Sequence, residues 1–424
     1  MRAAPQAWIG SLAALALSFV RPDAVRADEA LHLMREPTAY TDVIDAADDH
    51  DRFDVNVSVG YRREVDHGTI RREYTSAEGE RQRAKLADSQ RIVSQLFLDA
   101  DIGLYKDVMA FVRVPLILSD TRELSLAQGV SAAEASALLA EPGGGSAFAV
   151  PLLSPVRAGF DYMGFGAAAA VTSQERKAWL PTWIFSLEGR RALGPVQRPC
   201  HEDADKTLCR GPSGAELIPS EASKKGTSAV SRGVSAVLLE TRVSKRYRYA
   251  EPYGGLGVLV EWASTAKHAF QQGGGFKETA PGRQFTATLG AELIPWEHRG
   301  RHQRVSVDAR GSATYVTAGL DYSALYDALG SHDEVGPRPG LTTLGARMKV
   351  GGRLGVQVRA ARYVRFALGA GMSSVSAHPL TNATPCESGA SCPRYRPSLD
   401  APGRRFWMTQ QLLWELYASA TAQF

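Results

Sequence analysis

Apolar and polar residues alternate one by one over much of this chain. In RFDVNVSVGYR, Arg52 to Arg62, the residues Phe53, Val55, Val57, Val59 and Tyr61 fall on one side of an extended backbone. Asp54, Asn56, Ser58 and Gly60 fall on the other. Successive side chains of a strand point to opposite faces, so this period predicts a strand with one apolar and one polar face. It recurs in QFTATLGAEL (284–293), RVSVDARGSATY (304–315), LGARMKVGGRLGV (344–356) and YVRFALGAGM (363–372). Further strands are predicted near 91–105, 108–119, 157–172, 181–191, 232–245, 252–263 and 405–424, about twelve in all. The alternation is blurred at 108–119 and 157–172. Pro115 inside the first predicts a bulge or a strand end, because proline cannot donate to a ladder.

The connections alternate in length. Short ones fall at 105–107, 173–180, 245–251, 296–302 and 357–362; long ones at 63–90, 120–156, 192–231, 264–283, 317–341 and 376–404. This rhythm predicts an all-β fold, a transmembrane up-and-down antiparallel β-barrel with tight periplasmic turns and extended outer loops. A sheet that spans lipid has no partner for an open edge and must close on itself. Apolar side chains then face lipid, and polar ones face the lumen. Tyr61, Trp183, Tyr253, Trp262, Trp296, Tyr315, Tyr363, Phe406 and Trp414 lie near predicted strand ends, where interfacial girdles sit. One loop, SAAEASALLAEP (131–142), predicts a short helix with Ser131 as N-cap and Glu134 three residues on.

Composition supports strands over helices as the spanning elements. Mean hydropathy is −0.20, and after the N-terminus no apolar run approaches the roughly 20 residues a spanning helix needs. A net charge of +4 over 424 residues gives no electrostatic footprint for nucleic acid. The first 27 residues read as a secretory signal peptide: Arg2, an apolar stretch from Trp8 to Val20, and Val25-Arg26-Ala27 before a cleavage site. An acidic segment, 28–51, precedes the barrel at 52–424 and reads as a periplasmic tail or a small lumen insert.

The four cysteines fall as Cys200 with Cys209 and Cys386 with Cys392, each pair in a polar outer loop. Four cysteines allow three pairings, and pairing within each loop closes the shortest rings. A zinc site is the rival reading, but the spacing is not CxxC-like and His201 is the one nearby histidine. No metal and no cofactor is therefore expected.

The secretory leader, the loop rhythm and the final strand ending on Phe424 resemble the outer-membrane β-barrels of Gram-negative bacteria, the porin-like proteins included. That resemblance implies location in the bacterial outer membrane, contact with its lipid, and recognition of the last strand by the barrel assembly machinery. The matching positions are Phe424, Ala422, Ala420, Ala418, Leu416, Trp414 and Leu412. The family's usual aromatic at the third position from the end is Ala422 here, which weakens that signal.

Pointing the polar face inward gives a charged lumen. Arg304, Arg310, Arg347, Lys349, Arg353 and Arg365 come from three late strands; Asp99, Asp101, Glu188, Glu240, Glu261 and Glu292 come from earlier ones. Two readings stay open. A basic wall facing an acidic wall would orient solutes in a water-filled pore. A salt-bridge network would instead fill a barrel this small. The first predicts a passive pore for small hydrophilic solutes. The alternative is a sealed barrel that displays its loops. An outer-membrane hydrolase is the third class, but all nine histidines fall in predicted loops, turns or the N-terminal segment. No catalytic residue is assigned and an enzyme is not expected.

Overall fold

The computed structural model describes residues 40–44, 54–142, 144–197, 229–263, 270, 280–333, 336–338, 340–385 and 395–424. The signal peptide and all four cysteines lie outside the described residues, and so does most of the 28–51 segment.

Twelve long strands form one closed antiparallel barrel. They are β1 (Val55–Thr75), β2 (Arg81–Tyr105), β3 (Val108–Leu126), β4 (Tyr162–Thr172), β5 (Thr182–Ala192) and β6 (Val234–Ser244). The second half holds β7 (Ala250–Ala263), β8 (Gln284–His298), β9 (Gln303–Val316), β10 (Arg347–Ala361), β11 (Val364–Val375) and β12 (Phe406–Gln423). Each pairs with its neighbours in sequence, and β12 returns to β1. Closure reaches the last residue: Val55 N–H donates to the Phe424 carbonyl at 3.1 Å, and Phe424 N–H donates back at 2.9 Å.

The period-two reading places the faces correctly. Val57, Val59, Leu98, Phe165, Leu187, Leu289, Leu354, Leu368 and Leu416 are exposed on the outer wall, while Asn56, Glu188, Glu292 and Asp308 are buried inside. Tyr61, Trp183, Trp262, Trp296, Tyr315, Tyr363 and Trp414 are exposed as girdle residues should be. Tyr253 and Phe406 are not. Tyr253 turns into the lumen, where its hydroxyl meets Asp308 and Gly290 leaves room for its ring. Phe406 lies above the membrane in a loop core, under the Arg72 guanidinium.

Pro115 does not end its strand. It lies opposite Phe97 on β2, in a gap on the other side between the Arg113–Gly164 and Leu116–Phe160 pairings. The bulge comes three residues later, at Leu118, where Ser119 pairs with Ser94 but Ile117 with Gln95.

The expected long loop at 63–90 is instead a tall hairpin. β1 and β2 stay paired from Val55–Ile102 up to Thr75–Arg81, with β12 following β1 up to Arg72–Phe406 and β3 following β2 up to Ala87–Leu126. Two features hid it. A register shift between Ile70 and Arg71 reverses which positions face inward, so that Leu86 and Ala87 are buried in succession. Above the outward Val65–Ile92 pair the outward positions are also mostly polar or charged, among them His67, Thr69, Arg71, Lys85 and Asp88, because they leave lipid for water.

Above the membrane the loops pack on this hairpin. The predicted helix is present as α1 (Ala132–Leu139), with Ser131 and Glu134 forming a reciprocal capping box. Two short helices, α2 (Tyr326–Leu329) and α3 (Pro397–Asp400), come from the loops after β9 and β11. Ala135 and Leu139 of α1, Leu325, Ala328 and Leu329 around α2, and Leu399 of α3 bury against Ile70, Leu86, Leu124, Phe148 and Phe406. Apolar burial of this kind drives loops together as it does a soluble core.

Candidate pore and its two closures

The lumen is narrowed at both ends. At the outer mouth the loop core just described is tied down by ion pairs at its lower surface. Arg157, fully buried, donates two hydrogen bonds to Asp327 of α2 at 2.9 and 2.6 Å. Burial opposes the Asp327 charge, but the Arg157 guanidinium prevails and holds the carboxyl below the usual carboxylate range. Arg232 bridges Asp321 of the same loop and Glu261 of β7. Arg91 and Arg122 both grip Asp120. Arg72 donates to the Ser398 carbonyl, and Ser398 donates to Glu141, so three outer segments are linked.

At the inner mouth the short segment Tyr40–Ile44 enters the barrel. Its Tyr40 ring stacks on Tyr253 with centroids 4.4 Å apart, beside the Arg242 and Arg310 guanidinium groups. Gly255 makes the space, since a Cβ there would collide with the Tyr40 hydroxyl. The Thr41 and Ser244 hydroxyls are 2.7 Å apart, and Arg365 donates to Asp42 at 3.2 Å. Val43 and Ile44 pack on inward-facing Met109, Phe111 and Ile184. Of the two readings of the 28–51 segment, these five residues fit the lumen insert.

Among the described residues, one cavity lies towards the outer closure and another towards the inner one. The outer one, about 300 Å³, is lined by Asp66, Arg91, Asp120, Arg232, Asp321, Arg347 and His378 among others. The inner one, about 240 Å³, is lined by Asp99, Asp101, Arg113, Asp308, Arg310, Arg353, Gln357, Arg365 and Tyr417 among others.

The predicted charged positions all belong to the barrel wall, but their grouping differs from a basic wall opposite an acidic one. Most bases meet a carboxylate locally. Arg310 pairs with Asp308 on its own strand at 3.2 Å, Arg353 with Glu415 at 3.3 Å, and Arg304 with Glu292 at 3.9 Å. Glu188 is clamped by Arg113 at 3.0 Å and Arg190 at 2.6 Å. Arg347 lines the outer cavity, and Lys349 and Glu240 are half-buried on the same inward face. Neighbouring strands supply opposite charges within reach, so local pairing wins over segregation.

Asp99 and Asp101 are the exceptions. Both line the inner cavity from β2, and among the described residues neither makes an ion pair or a side-chain hydrogen bond. Arg113 is directly opposite Asp99 across the ladder but turns the other way, to Glu188 on β5, and Phe111 is opposite Asp101. Arg113 shares Glu188 with Arg190, and Arg353 shares Glu415 with Arg62, so acids and bases around this cavity balance although Asp99 and Asp101 touch none of the bases directly.

Sequence reading missed Tyr40, Asp42, Tyr253 and the two ion-paired aspartates Asp321 and Asp327. The apolar run SALYDAL (323–329) inside a supposedly solvated loop was the signal for the outer closure.

A closed antiparallel sheet with an apolar outer band, aromatic girdles and a charged interior is the architecture of a transmembrane β-barrel of the outer-membrane type, and this chain has that fold. Among solved structures, the chain is similar to a FadL homologue from Pseudomonas aeruginosa at 9% identity and a TM-score of 0.35, over 92% of this chain and 93% of that one. It is similar to the β domain of the Bordetella autotransporter BrkA at 10% identity and a TM-score of 0.32, over 86% and 99%. It is also similar to the outer membrane protease OmpT of Escherichia coli at 6% identity and a TM-score of 0.29, over 88% and 97%. No protein-family model and no curated protein sequence matches the chain.

Proposed function

We propose that the protein is a channel for small hydrophilic solutes, closed in this conformation. The observation that carries the reading is the inner cavity, where Asp99 and Asp101 face water-sized space with no counter-ion of their own. Charged groups lining a narrow, low-dielectric passage set which solutes enter it. The inner closure is made of a five-residue segment held by side-chain contacts, so its displacement would open this cavity to the periplasm. No catalytic group is part of this reading. Outer-membrane lipid solvates the outer face, and the barrel assembly machinery is the factor expected to insert it through β12.

The test is conductance in planar bilayers. The unaltered protein should give low or brief openings. Tyr40→Ala with Asp42→Ala should give sustained conductance, and adding Asp99→Asn and Asp101→Asn should shift its ion preference towards anions. Silence from every variant, with the barrel folded, would overturn the reading. It would leave the sealed, loop-displaying barrel, which the packed outer loop core favours.

A further inference from the structure

One row of the inner cavity runs across four neighbouring strands. Asp99 on β2 is opposite Ser58 on β1, Ser58 is opposite Thr421 on β12, and Thr421 is opposite Arg365 on β11. All four line the cavity. Three strand spacings separate its charged ends, about 14 Å along the wall. Between them lie short side chains, with the Ser58 and Thr421 hydroxyls 2.8 Å apart. Asp101 adds a second carboxylate at the Asp99 end, two residues nearer the periplasm. On the outer side the row is bounded by Phe97 and Tyr417, whose rings fill the space a side chain would take at Gly60 and Gly369. The two ends do not satisfy each other. Among the described residues Asp99 and Asp101 accept no side-chain hydrogen bond, and Arg365 donates instead to Asp42 of the inner segment at 3.2 Å. That segment therefore brings a third carboxylate into a space that already holds two, within electrostatic reach of Asp101. Carboxylates held out of water without donors are costly.

We propose that this row binds a small zwitterion of the α-amino-acid type, whose carboxylate competes with Asp42 for Arg365. The inference rests on the reading of the lumen as a solute path and names the class of solute. The ammonium group supplies Asp99 and Asp101 with the donors that the protein withholds from them. The carboxylate takes the planar fork of the Arg365 guanidinium. A simple anion meets the two aspartates unshielded, and a simple cation meets Arg365 and Arg353, so each is refused by one half of the site. The inner segment imitates only half of the ligand, because Asp42 satisfies Arg365 but leaves both aspartates bare. The zwitterion exchanges one carboxylate on Arg365 for another, adds an ammonium group at the far end, and removes a like charge from beside Asp101. It therefore binds the displaced state of the segment better than the inserted one, and shifts the closure towards opening by that difference in affinity.

The experiment uses the full folded protein in neutral detergent micelles, with folding checked by gel mobility before and after boiling. L-Alanine, sodium propionate and ethylamine hydrochloride serve as a zwitterion, an anion and a cation of one size, and binding is read by isothermal titration calorimetry. Alanine should bind at least about tenfold more tightly than either of the others, since each of those lacks one charge-assisted contact. Asp42→Asn should tighten alanine binding by weakening its competitor. Asp99→Asn with Asp101→Asn should weaken alanine by at least about tenfold and strengthen propionate. Equal binding of alanine and propionate, or an alanine affinity unmoved by the double asparagine variant, would overturn the site. So would the absence of alanine binding from both the unaltered protein and the Tyr40→Ala, Asp42→Ala variant. Unchanged alanine affinity in Asp42→Asn would overturn the competition. Alanine binding without conductance from any variant would overturn the channel and leave the site, and conductance without alanine binding would do the reverse.

Discussion

Arg157 shows how one side chain fixes an entire loop. It is completely buried and its bidentate partner Asp327 sits on α2, 170 residues away in sequence. Replacing it with leucine leaves a buried carboxylate without its counter-charge, at a cost of about 3–5 kcal/mol. Most of that loss should return when Asp327→Leu is added, because a pair of apolar groups is often as good as a buried ion pair. A double-mutant cycle by thermal denaturation measures both effects. His378 works in the opposite direction. It is buried beside the outer cavity, and burial lowers its pKa to about 4; the nearby Arg347 guanidinium adds to this, while the Nδ1–H bond to the Ser376 carbonyl opposes it. In the unfolded chain histidine titrates near ~6.5. The neutral ring therefore contributes stability that is fully present above about pH 6.5 and is lost progressively as pH falls towards about 4. His378→Gln should flatten that slope in denaturation measured across this pH window. An unchanged slope would show that other groups dominate acid lability.

At the scale of elements, the strands and the loops obey different rules. The strands are held by backbone ladders that lipid makes obligatory, while the outer loops are held by an apolar core like that of a soluble domain. The two should therefore fail separately. Leu329→Asp places an unpaired charge in the loop core, where Leu329 is 3% exposed, and should unpack the outer closure. Limited proteolysis should then nick the segments around 127–156 and 317–346, while the protease-resistant barrel survives. Loss of the barrel along with the loops would mean that the two are one cooperative unit. The β1–β2 hairpin belongs to both regimes. Its lower half faces lipid with Val57, Val59 and Tyr61, and its upper half offers Ile70 and Leu86 to the loop core.

For the whole molecule, closure removes the edges of the barrel sheet, and the terminal residue takes part in it. A folded, closed barrel should migrate faster on an unboiled gel than after boiling. Deleting Phe424 removes the two backbone bonds to Val55 and the terminal aromatic, and should reduce the fraction reaching the compact form in cells. Equal recovery of the truncated chain would show that the final residue is dispensable for assembly.

Alternation determined nearly everything within the membrane. Lipid on one side and a polar lumen on the other impose period two on each strand, so RFDVNVSVGYR or QFTATLGAEL reveals its faces without any tertiary knowledge. Strand number, closure and the polarity of the lumen follow from the same constraint. Outside the membrane that constraint lapses, and so did legibility: the bulge at Leu86 reversed the faces of β2 in the upper hairpin, and charged side chains there resembled a loop. The pairing of lumen charges was also undetermined, because a face assignment says which residues point inward but not which neighbour they meet across the ladder. Tertiary structure alone brought Tyr40 onto Tyr253 and Arg157 onto Asp327, and it alone left Asp99 and Asp101 without partners. Those contacts join segments far apart in sequence, and their geometry depends on closing the ring.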